Sequence, residues 1–578
     1  MDKKSYCIAW LMLLFVGSLH AQYRTTTYCN PLNLDYTYPF HNSHLGKSYR
    51  SGADPAVVEF RGEYYMFVTR SWGYWHSKDL LNWDLITPEK WYFEGCNAPA
   101  AHNYKDSVLY VCGNPSGAMS ILYTDNPKRG DWKAVPSVLH DLQDPALFID
   151  DDERAYMYWG SSNRWPIRGK ELDMKNKFLP IAKKPDSLLF LRPDIHGWER
   201  FGENHTSDIK PFIEGAWMTK HNGKYYLQYA APGTQFNVYG DGVYVGKSPL
   251  GPFEYAAHNP FCYKPGGFAT GAGHGSTVCG PGGIYWHFGT IHLSINYKFE
   301  RRLCMFPTFF DEDGAMYSDT YFGDYPHYSP DQVSRQTTSG GFRGWMLLSY
   351  GKPVKASSQL ESYPVENVTD ENLKTFWVAE KNDDKQWVEI DLEEVSDVYA
   401  LQLNFFDYEE TGFWGRMPNL RQRYLVEASV DGARWRVLVD YRNSFRDAPH
   451  NYIELDQPIE ARYIRYRHHY VPGKNLAMGD IRVFGLGRGK KPATVKGFTV
   501  VREADERNAR ISWKAVKGAQ GYNVLWGVAL DKLYSSWMVY GDNSLDLRAL
   551  TVGQKYYFAI EAFNENGISQ RVFLREAH

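Results

Sequence analysis

The sequence predicts an all-β protein with a repeated architecture in its first half and separately built domains in its second. Aromatic residues make up 16% of the 578 residues, and aromatic side chains are enriched in β-strands. One sequence phrase recurs five times between residues 54 and 288. Six of the seven cysteines lie between Cys29 and Cys304, and none follows. This uneven distribution indicates that the rest of the chain is built independently.

The repeated phrase is a polar residue, two or three small residues, a short apolar strand, a tight turn and an aromatic strand. The leading polar residues are Asp54, Asn97, Asp144, Glu214 and His274. The intervals between them are about 40 to 70 residues, enough for four short strands each, which is typical of β-propeller blades. The repeats therefore predict a five-bladed β-propeller.

In a propeller the first strand of each blade lines the central axis, and small residues let the strand ends crowd together at one mouth. The five leading polar side chains are therefore expected to meet in one pocket. Taken singly, each is explained equally well as a turn residue, because Asp-Pro and similar pairs are common in loops. Their recurrence at one position of the repeat favours the shared pocket.

Three carboxylates in one mouth match the requirements of glycosidic cleavage. One acid protonates the departing oxygen, while a second carboxylate activates water or attacks directly. Burial and repulsion between like charges raise one pKa, which keeps an acid protonated near neutrality. A metal site is the competing interpretation, since three carboxylates and a histidine could hold a divalent cation.

The motifs around these residues resemble glycoside hydrolase family 43, whose members are five-bladed propeller enzymes. The matching segments are Ala53-Asp54-Pro55-Ala56, Ser77 to Trp83, Asp144 to Phe148, Glu214-Gly215-Ala216-Trp217 and Gly273-His274-Gly275-Ser276. The resemblance implies that residues 22–328 form the catalytic propeller.

The resemblance also implies a role for each residue of the pocket. Asp54 is the expected general base, Glu214 the general acid, and Asp144 the residue that sets the pKa of the acid and orients it. Arg301 matches a position that often contacts substrate. His274 matches a histidine near the central channel, where a structural calcium ion is possible; no cofactor is required.

Three further residues are predicted to bind substrate: Asn97, which leads the second repeat, and Trp75 and Trp217. Flat aromatic faces suit sugar rings, but propeller cores also contain many tryptophans. Packing is therefore an equally good explanation for each tryptophan.

The second half of the chain is predicted to contain two β-sandwiches. Residues 329–348 are polar and rich in turn-forming residues, as expected of a linker. Residues 349–487 resemble a coagulation factor 5/8 type C (discoidin-like) domain, and residues 493–578 resemble a fibronectin type III domain. The discoidin-like domain is as consistent with a spacer as with a sugar-binding module.

The first 21 residues have the layout of a cleaved secretory signal: two lysines, an apolar stretch and a small residue before Gln22. A secreted or periplasmic protein is therefore expected. The net charge of −3 gives no basic surface for nucleic acid, and no later segment is apolar enough to span a membrane.

The sequence thus predicts an exported glycosidase of O-glycosyl compounds (EC 3.2.1.-) that acts on a plant-type polysaccharide or oligosaccharide with inversion. α-L-Arabinofuranosidase and β-xylosidase are the activities that the resemblance favours. Exo-β-1,3-galactanase-type activity and a non-catalytic glycan-binding propeller are the alternatives. A propeller that only binds glycan has no need to keep the acid trio together.

Overall fold

The computed structural model describes residues 26–574, except 37–39, 92–95, 115–117, 141, 183, 334–340, 413–414, 416 and 418. This part of the chain is built from 43 β-strands and six short 3₁₀ helices, with no α-helix among its residues. The all-β prediction is confirmed. The 3₁₀ helices are Pro127–Arg129, Met174–Asn176, Gly197–Glu199, Glu203–His205, Pro281–Gly283 and Val365–Val368. None of the described helices is long and apolar enough to cross a membrane. The predicted signal, residues 1–21, lies outside the described residues.

Three short strands precede the repeats: β1 (Thr27–Tyr28), β2 (Phe40–Asn42) and β3 (Lys47–Tyr49). β2 and β3 form an antiparallel hairpin. β1 pairs with a strand far along the chain, His327–Tyr328.

Each repeat forms its own antiparallel sheet. The first sheet contains β4 (Ala56–Phe60), β5 (Glu63–Phe67), β6 (Tyr74–Ser77) and β7 (Trp83–Ile86). The second contains β8 (Asn97–Tyr104), β9 (Val108–Asn114), β11 (Leu122–Thr124) and β12 (Lys133–Ala134), beside a pair formed by β10 (Ala118–Met119) and β13 (Leu139–His140). The third contains β14 (Ala146–Ile149), β15 (Ala155–Trp159), β16 (Ile167–Asp173), β17 (Leu179–Pro180) and β18 (Asp186–Leu189).

Two more sheets and one strand complete this half. The fourth sheet contains β19 (Glu214–His221), β20 (Lys224–Ala231), β21 (Gly240–Gly246) and β22 (Phe253–Tyr255). The fifth contains β23 (Gly273–Cys279), β24 (Tyr285–His292), β25 (Arg301–Phe310) and β26 (Met316–Ser318), and β27 (His327–Tyr328) follows.

The local sequence explains the hairpins at the start of the first and fourth sheets. Arg61 and Gly62 have φ values of 55° and 76°, and Asn222 and Gly223 have 47° and 74°. Two consecutive residues with positive φ form the tight turn whose twist matches that of paired strands. The aromatic run after the turn, such as Tyr64 to Phe67, then packs as the second strand.

The first strand of each sheet contacts the first strand of the next sheet: β4 with β8, β8 with β14, β14 with β19, β19 with β23, and β23 with β4. These strands are mostly buried. The residues at or just before the starts of these strands are therefore brought to a common place.

The segment that follows forms an eight-stranded sheet. Its strands are β28 (Met346–Leu347), β29 (Val354–Ala356), β30 (Trp377–Val378), β31 (Trp387–Phe405), β32 (Arg423–Ser429), β33 (Arg436–Asp440), β34 (His450–Tyr470) and β35 (Ala477–Leu486). Its core includes Leu401, Ile464 and Val483. β28 pairs with β35, so the end of the predicted linker 329–348 already belongs to this sheet.

The last segment forms two sheets that face each other across Trp513, Val524 and Ile560. The smaller sheet contains β36 (Lys496–Arg502), β37 (Ala509–Lys514) and β40 (Ser544–Leu547). The larger contains β38 (Gly521–Gly527), β39 (Ser535–Tyr540), β41 (Tyr557–Asn564), β42 (Gly567–Ile568) and β43 (Val572–Leu574). One apolar cluster joins all three parts of the chain through Tyr325, Phe484 and Phe563.

Candidate active site

A cavity of about 500 Å³ lies where the first strands of the five sheets begin. Its lining includes six of the predicted site residues: Asp54, Asn97, Asp144, Glu214, His274 and Arg301. The remaining lining residues are His41, Asn42, Ser43, His44, Tyr49, Ser51, Thr69, Arg70, Ser161, Thr234, Tyr297 and Phe299. A cavity of this size accommodates a small ligand.

The backbone adopts a left-handed conformation at the leading polar residue of each repeat or at the residue after it. The residues and φ values are Asp54 (54°), Ala98 (46°), Asp144 (49°), Gly215 (64°) and His274 (49°). Left-handed φ is unfavourable for residues other than glycine and clusters at functional sites. The turn directs each polar side chain into the cavity at or just before the start of the strand.

Close packing explains the glycine beside the glutamate. A Cβ atom on Gly215 would lie 2.8 Å from Cγ of His274, too close for any side chain. The small residue after Glu214 is therefore required where the fourth and fifth sheets meet.

Asp54 is surrounded by groups that favour its ionised form. Nη1 of Arg301 donates to Oδ1 at 3.2 Å, and the Thr69 hydroxyl donates to Oδ2. Nδ1 of His274 is 3.4 Å from Oδ1. Burial alone would raise the pKa of Asp54, but Arg301, His274 and the Thr69 hydrogen bond outweigh it, and the pKa is lowered. Asp54 is therefore a carboxylate at neutral pH.

Glu214 is held by two hydroxyl groups from neighbouring segments. Tyr239 donates to Oε1 at 2.7 Å, and Ser161 donates to Oε2 at 3.0 Å. The bridge between Ser162 and Ile213 brings Ser161 alongside. The carboxyl group is thereby fixed in orientation while it still faces the cavity.

Asp144 has the opposite protonation behaviour from Asp54. Burial and the charges of Glu214 and Asp54 raise its pKa to about 7, although His274 and Arg301 act to lower it. Near neutral pH, Asp144 is therefore partly protonated and sensitive to the charge of Glu214.

His274 lies between two of the carboxylates, with Nδ1 3.4 Å from Asp54 and 3.7 Å from Oδ2 of Asp144. Its backbone N–H donates to the buried Asp241 at 2.8 Å, which fixes the turn. Burial would lower the pKa of His274, but Asp54 and Asp144 raise it. A protonated His274 balances part of the negative charge of the site.

The described residues include no group of three or more His, Cys, Asp or Glu side chains arranged to hold a metal ion. The structural calcium ion that the resemblance allows near His274 stays a prediction. No step of the chemistry below depends on it.

Asn97 is held at the rim because Arg70 donates to its Oδ1 at 2.9 Å. Sequence reasoning missed Arg70, Thr69, Ser161 and Tyr239. A repeat-based signal was available for two of them: Thr69 and Ser161 each lie two residues beyond the end of a second strand, β5 or β15. These strands return antiparallel to the mouth.

The structure places two predicted substrate contacts, Trp75 and Trp217, away from the cavity. Trp75 is 0% exposed, packs in the apolar core beside Tyr36 and donates its indole N–H to Asp35 at 3.1 Å. Trp217 packs against the core between sheets and donates to the Thr277 carbonyl at 3.3 Å. Neither lines the cavity, because each side chain projects into the space between sheets.

The β2–β3 hairpin forms a wall of the cavity that sequence reasoning did not anticipate. His41, Asn42 and His44 line the cavity, and Nδ1 of His41 is hydrogen-bonded with the Ser48 hydroxyl at 2.9 Å. The hairpin precedes the repeats, so the repeat pattern contains no signal for it.

The fold and the cavity define a class of protein: a chain of repeated β-sheets with three carboxylates at one mouth. Residues 49–316 match the family model described as Glycosyl hydrolases family 43, and residues 353–478 match that of the F5/8 type C domain. The matches thus confirm the family 43 resemblance over residues 49–316 and the F5/8 type C resemblance over residues 353–478, as the sequence motifs predicted.

Among curated relatives, a beta-xylosidase of Xylanibacter ruminicola is 33% identical over 202 residues, covering 31% of this chain and 57% of that protein. An arabinoxylan arabinofuranohydrolase of Bacillus subtilis (strain 168) is 25% identical over 331 residues, covering 46% of this chain and 60% of that protein. The chain thus spans less than two thirds of the length of these relatives. A solved structure titled "Glycoside hydrolase" matches 78% of this chain and all of that one, with 19% identity and a TM-score of 0.43.

Proposed function

We propose that the protein is a glycoside hydrolase that removes α-L-arabinofuranosyl or β-D-xylosyl units from plant polysaccharides or oligosaccharides. The observation that carries the proposal is the placement of Asp54, Asp144 and Glu214 in one cavity with three different electrostatic surroundings. The family 43 match and the names of the relatives support it.

Asp54 acts as the general base. Its lowered pKa keeps it ionised. Arg301 donates a hydrogen bond to Oδ1 of Asp54, and the Thr69 hydroxyl donates to Oδ2. The carboxylate accepts a proton from a water molecule as that water attacks the anomeric carbon. The product then has the inverted configuration.

Glu214 acts as the general acid and donates a proton to the oxygen of the departing sugar. Tyr239 and Ser161 orient its carboxyl. Burial is the main cause of the raised pKa of Asp144, and the charge of Glu214 adds to it. This interaction supports Asp144 as the partner of the acid.

Several architectural statements belong to the same proposal. The contact of β23 with β4 supports a ring of five sheets closed as a propeller. The two facing sheets of the last segment support a fibronectin type III-like domain. Secretion or periplasmic export follows from the sequence of residues 1–21 alone.

The direct test is hydrolysis of a panel of 4-nitrophenyl glycosides, comprising α-L-arabinofuranoside, β-D-xylopyranoside and β-D-galactopyranoside, by the purified full chain. We expect release of 4-nitrophenol from the first or the second. Turnover of the galactoside alone would point to galactan-directed activity. Binding of xylan or arabinan without turnover of any substrate would identify a glycan-binding propeller instead.

Asp144→Asn should change both the pH dependence of catalysis and the stability. The variant lacks the ionisation at about pH 7, so kcat should fall and the basic limb of its pH–rate profile should shift. Because the folded-state pKa of Asp144 is raised, the wild type binds more protons folded than unfolded between about pH 4 and 7. The contribution of Asp144 to the free energy of unfolding therefore falls with rising pH in this window, by at most about 1.4 kcal/mol per pH unit.

The variant should not show this contribution, so its stability relative to the wild type should increase from pH 4 to pH 7. Denaturant unfolding at several pH values measures the difference. A constant difference together with an unchanged pH–rate profile would reduce Asp144 to a structural turn residue.

A further inference from the structure

We propose that the F5/8 type C domain is a working part of the active site, because two of its buried carboxylates position the segment that holds Arg301 against Asp54. Asp407 and Asp447 are the positioning residues, and Arg50 is the residue that they clamp. This inference rests on the proposed role of Asp54 as a base.

The clamp is a buried arginine between two carboxylates. Arg50 donates to Asp447 through Nε at 2.8 Å and Nη2 at 3.0 Å. Nη1 of Arg50 pairs with Oδ1 of Asp407, and the Arg50 backbone N–H donates to Oδ2 at 2.8 Å. All three side chains are buried. The two-pronged geometry fixes the guanidinium in position and angle.

The clamp is directly connected to Arg301. The residues after Arg50 pair with the start of β25: the Gly52 N–H donates to the Arg301 carbonyl at 3.0 Å, and the Arg301 N–H donates to the Ser51 hydroxyl at 3.1 Å. Nη1 of Arg302 donates to the Arg50 carbonyl. Asp54 follows Arg50 by four residues. A shift of Arg50 would therefore move both partners of the Arg301–Asp54 pair.

The same domain supports this corner at two further places. Nε of Arg302 contacts Nε2 of His450 at 2.8 Å. The Ser48 N–H, on the hairpin that walls the cavity, donates to the Glu410 carbonyl at 2.8 Å. The domain thus holds both the cavity wall and the backbone behind the base.

Domain attachment alone does not explain this arrangement. Burying an arginine and two carboxylates has a large desolvation cost, and apolar contacts attach domains as well or better. The apolar cluster around Tyr325, Phe484 and Phe563 already joins the domains. A buried ionic clamp instead sets a defined geometry, and it is located at the strand that supplies Arg301.

Asp407→Asn tests the inference in the full chain, because Arg50 keeps its pairing with Asp447 and the fold is expected to survive. Small displacements of catalytic groups lower rates steeply, so kcat should fall by about ten- to a hundredfold. If Arg301 moves away, the pKa of Asp54 rises, and the acid limb of the kcat/KM profile should move to higher pH.

Glu454→Gln is the matched control. Glu454 lies in the same domain and accepts hydrogen bonds from the backbone N–H groups of Thr26 and Thr27 at 2.8 and 2.9 Å, but it does not line the cavity. Its kcat and acid limb should equal those of the wild type. Equal profiles for Asp407→Asn, Glu454→Gln and the wild type would overturn the proposal.

Amide hydrogen exchange over residues 40–54 supplies a readout that does not need activity. We expect faster exchange in this segment for Asp407→Asn and for Arg50→Lys, which cannot make the two-pronged contacts, but not for Glu454→Gln. Unchanged exchange in both variants would also refute the clamp. If the wild type cleaves no glycoside, the proposed function fails, while the exchange experiment still decides whether the domain positions this segment.

Discussion

Glu214→Gln should lower kcat on an unactivated xylo- or arabino-oligosaccharide by about 10²–10⁴-fold while the fold is retained. Glutamine keeps the shape of the side chain: its carbonyl oxygen can accept a hydrogen bond from one of the Tyr239 and Ser161 hydroxyls, and its NH2 group can donate to the other. It cannot deliver a proton to the departing oxygen. Steady-state kinetics on the oligosaccharide, with circular dichroism as the check of folding, measures the effect.

The leaving group separates acid catalysis from a general loss of function. The dinitrophenolate of a 2,4-dinitrophenyl glycoside departs without protonation, so the variant should recover much of its rate on that substrate. Glu254→Gln, on the exposed outer strand β22 of the same sheet, is the matched control and should behave as the wild type. Near-normal turnover of the unactivated oligosaccharide by Glu214→Gln would refute the assignment.

The cavity could be predicted from the sequence because its chemistry is tied to the repeat. Asp54, Asp144 and Glu214 occupy one position of a phrase that folds the same way each time. The left-handed turn at or beside that position directs each side chain to the same mouth. The repeated local structure therefore allowed us to predict that these three residues, distant in sequence, lie close together.

The substrate contacts of Trp75 and Trp217 could not be judged in the same way. An aromatic residue in a propeller strand packs in the core or lines a pocket, depending on the face of the sheet to which it belongs. The sequence does not specify how the sheets pack against each other. Trp75 has no exposed surface at all. A polar group that follows a second strand, such as Thr69, is a better sign of the cavity than an aromatic one.

The clamp on Arg50 was beyond sequence reasoning for a different reason. Its partners Asp407 and Asp447 are more than 350 residues away along the chain. They belong to a domain that resembles an independent module. The sequence pattern within either domain therefore could not predict a contact between the two domains.

Asp54→Asn should reduce kcat by about 10²–10⁴-fold, because the amide cannot accept the proton of the attacking water. The Asn oxygen can still accept from Arg301, and the Asn NH2 group can donate to the Thr69 hydroxyl, so the site should remain assembled. Asp79→Asn is the control: Asp79 caps a turn in the first sheet through hydrogen bonds to Leu81 and Asn82 and lies outside the cavity. It should leave kcat unchanged.

The stereochemistry of the wild-type reaction decides what Asp54 does. Asp54 and Glu214 use different hydrogen-bond partners, Arg301 and Thr69 for one and Tyr239 and Ser161 for the other. If the two carboxyls are about 6.5–9.5 Å apart, a water fits beside the sugar and the product is inverted; about 5–5.5 Å would imply retention. Proton NMR of the first product reports the anomer directly. A retained configuration would make Asp54 a nucleophile, and full activity of Asp54→Asn would place the base elsewhere in the mouth.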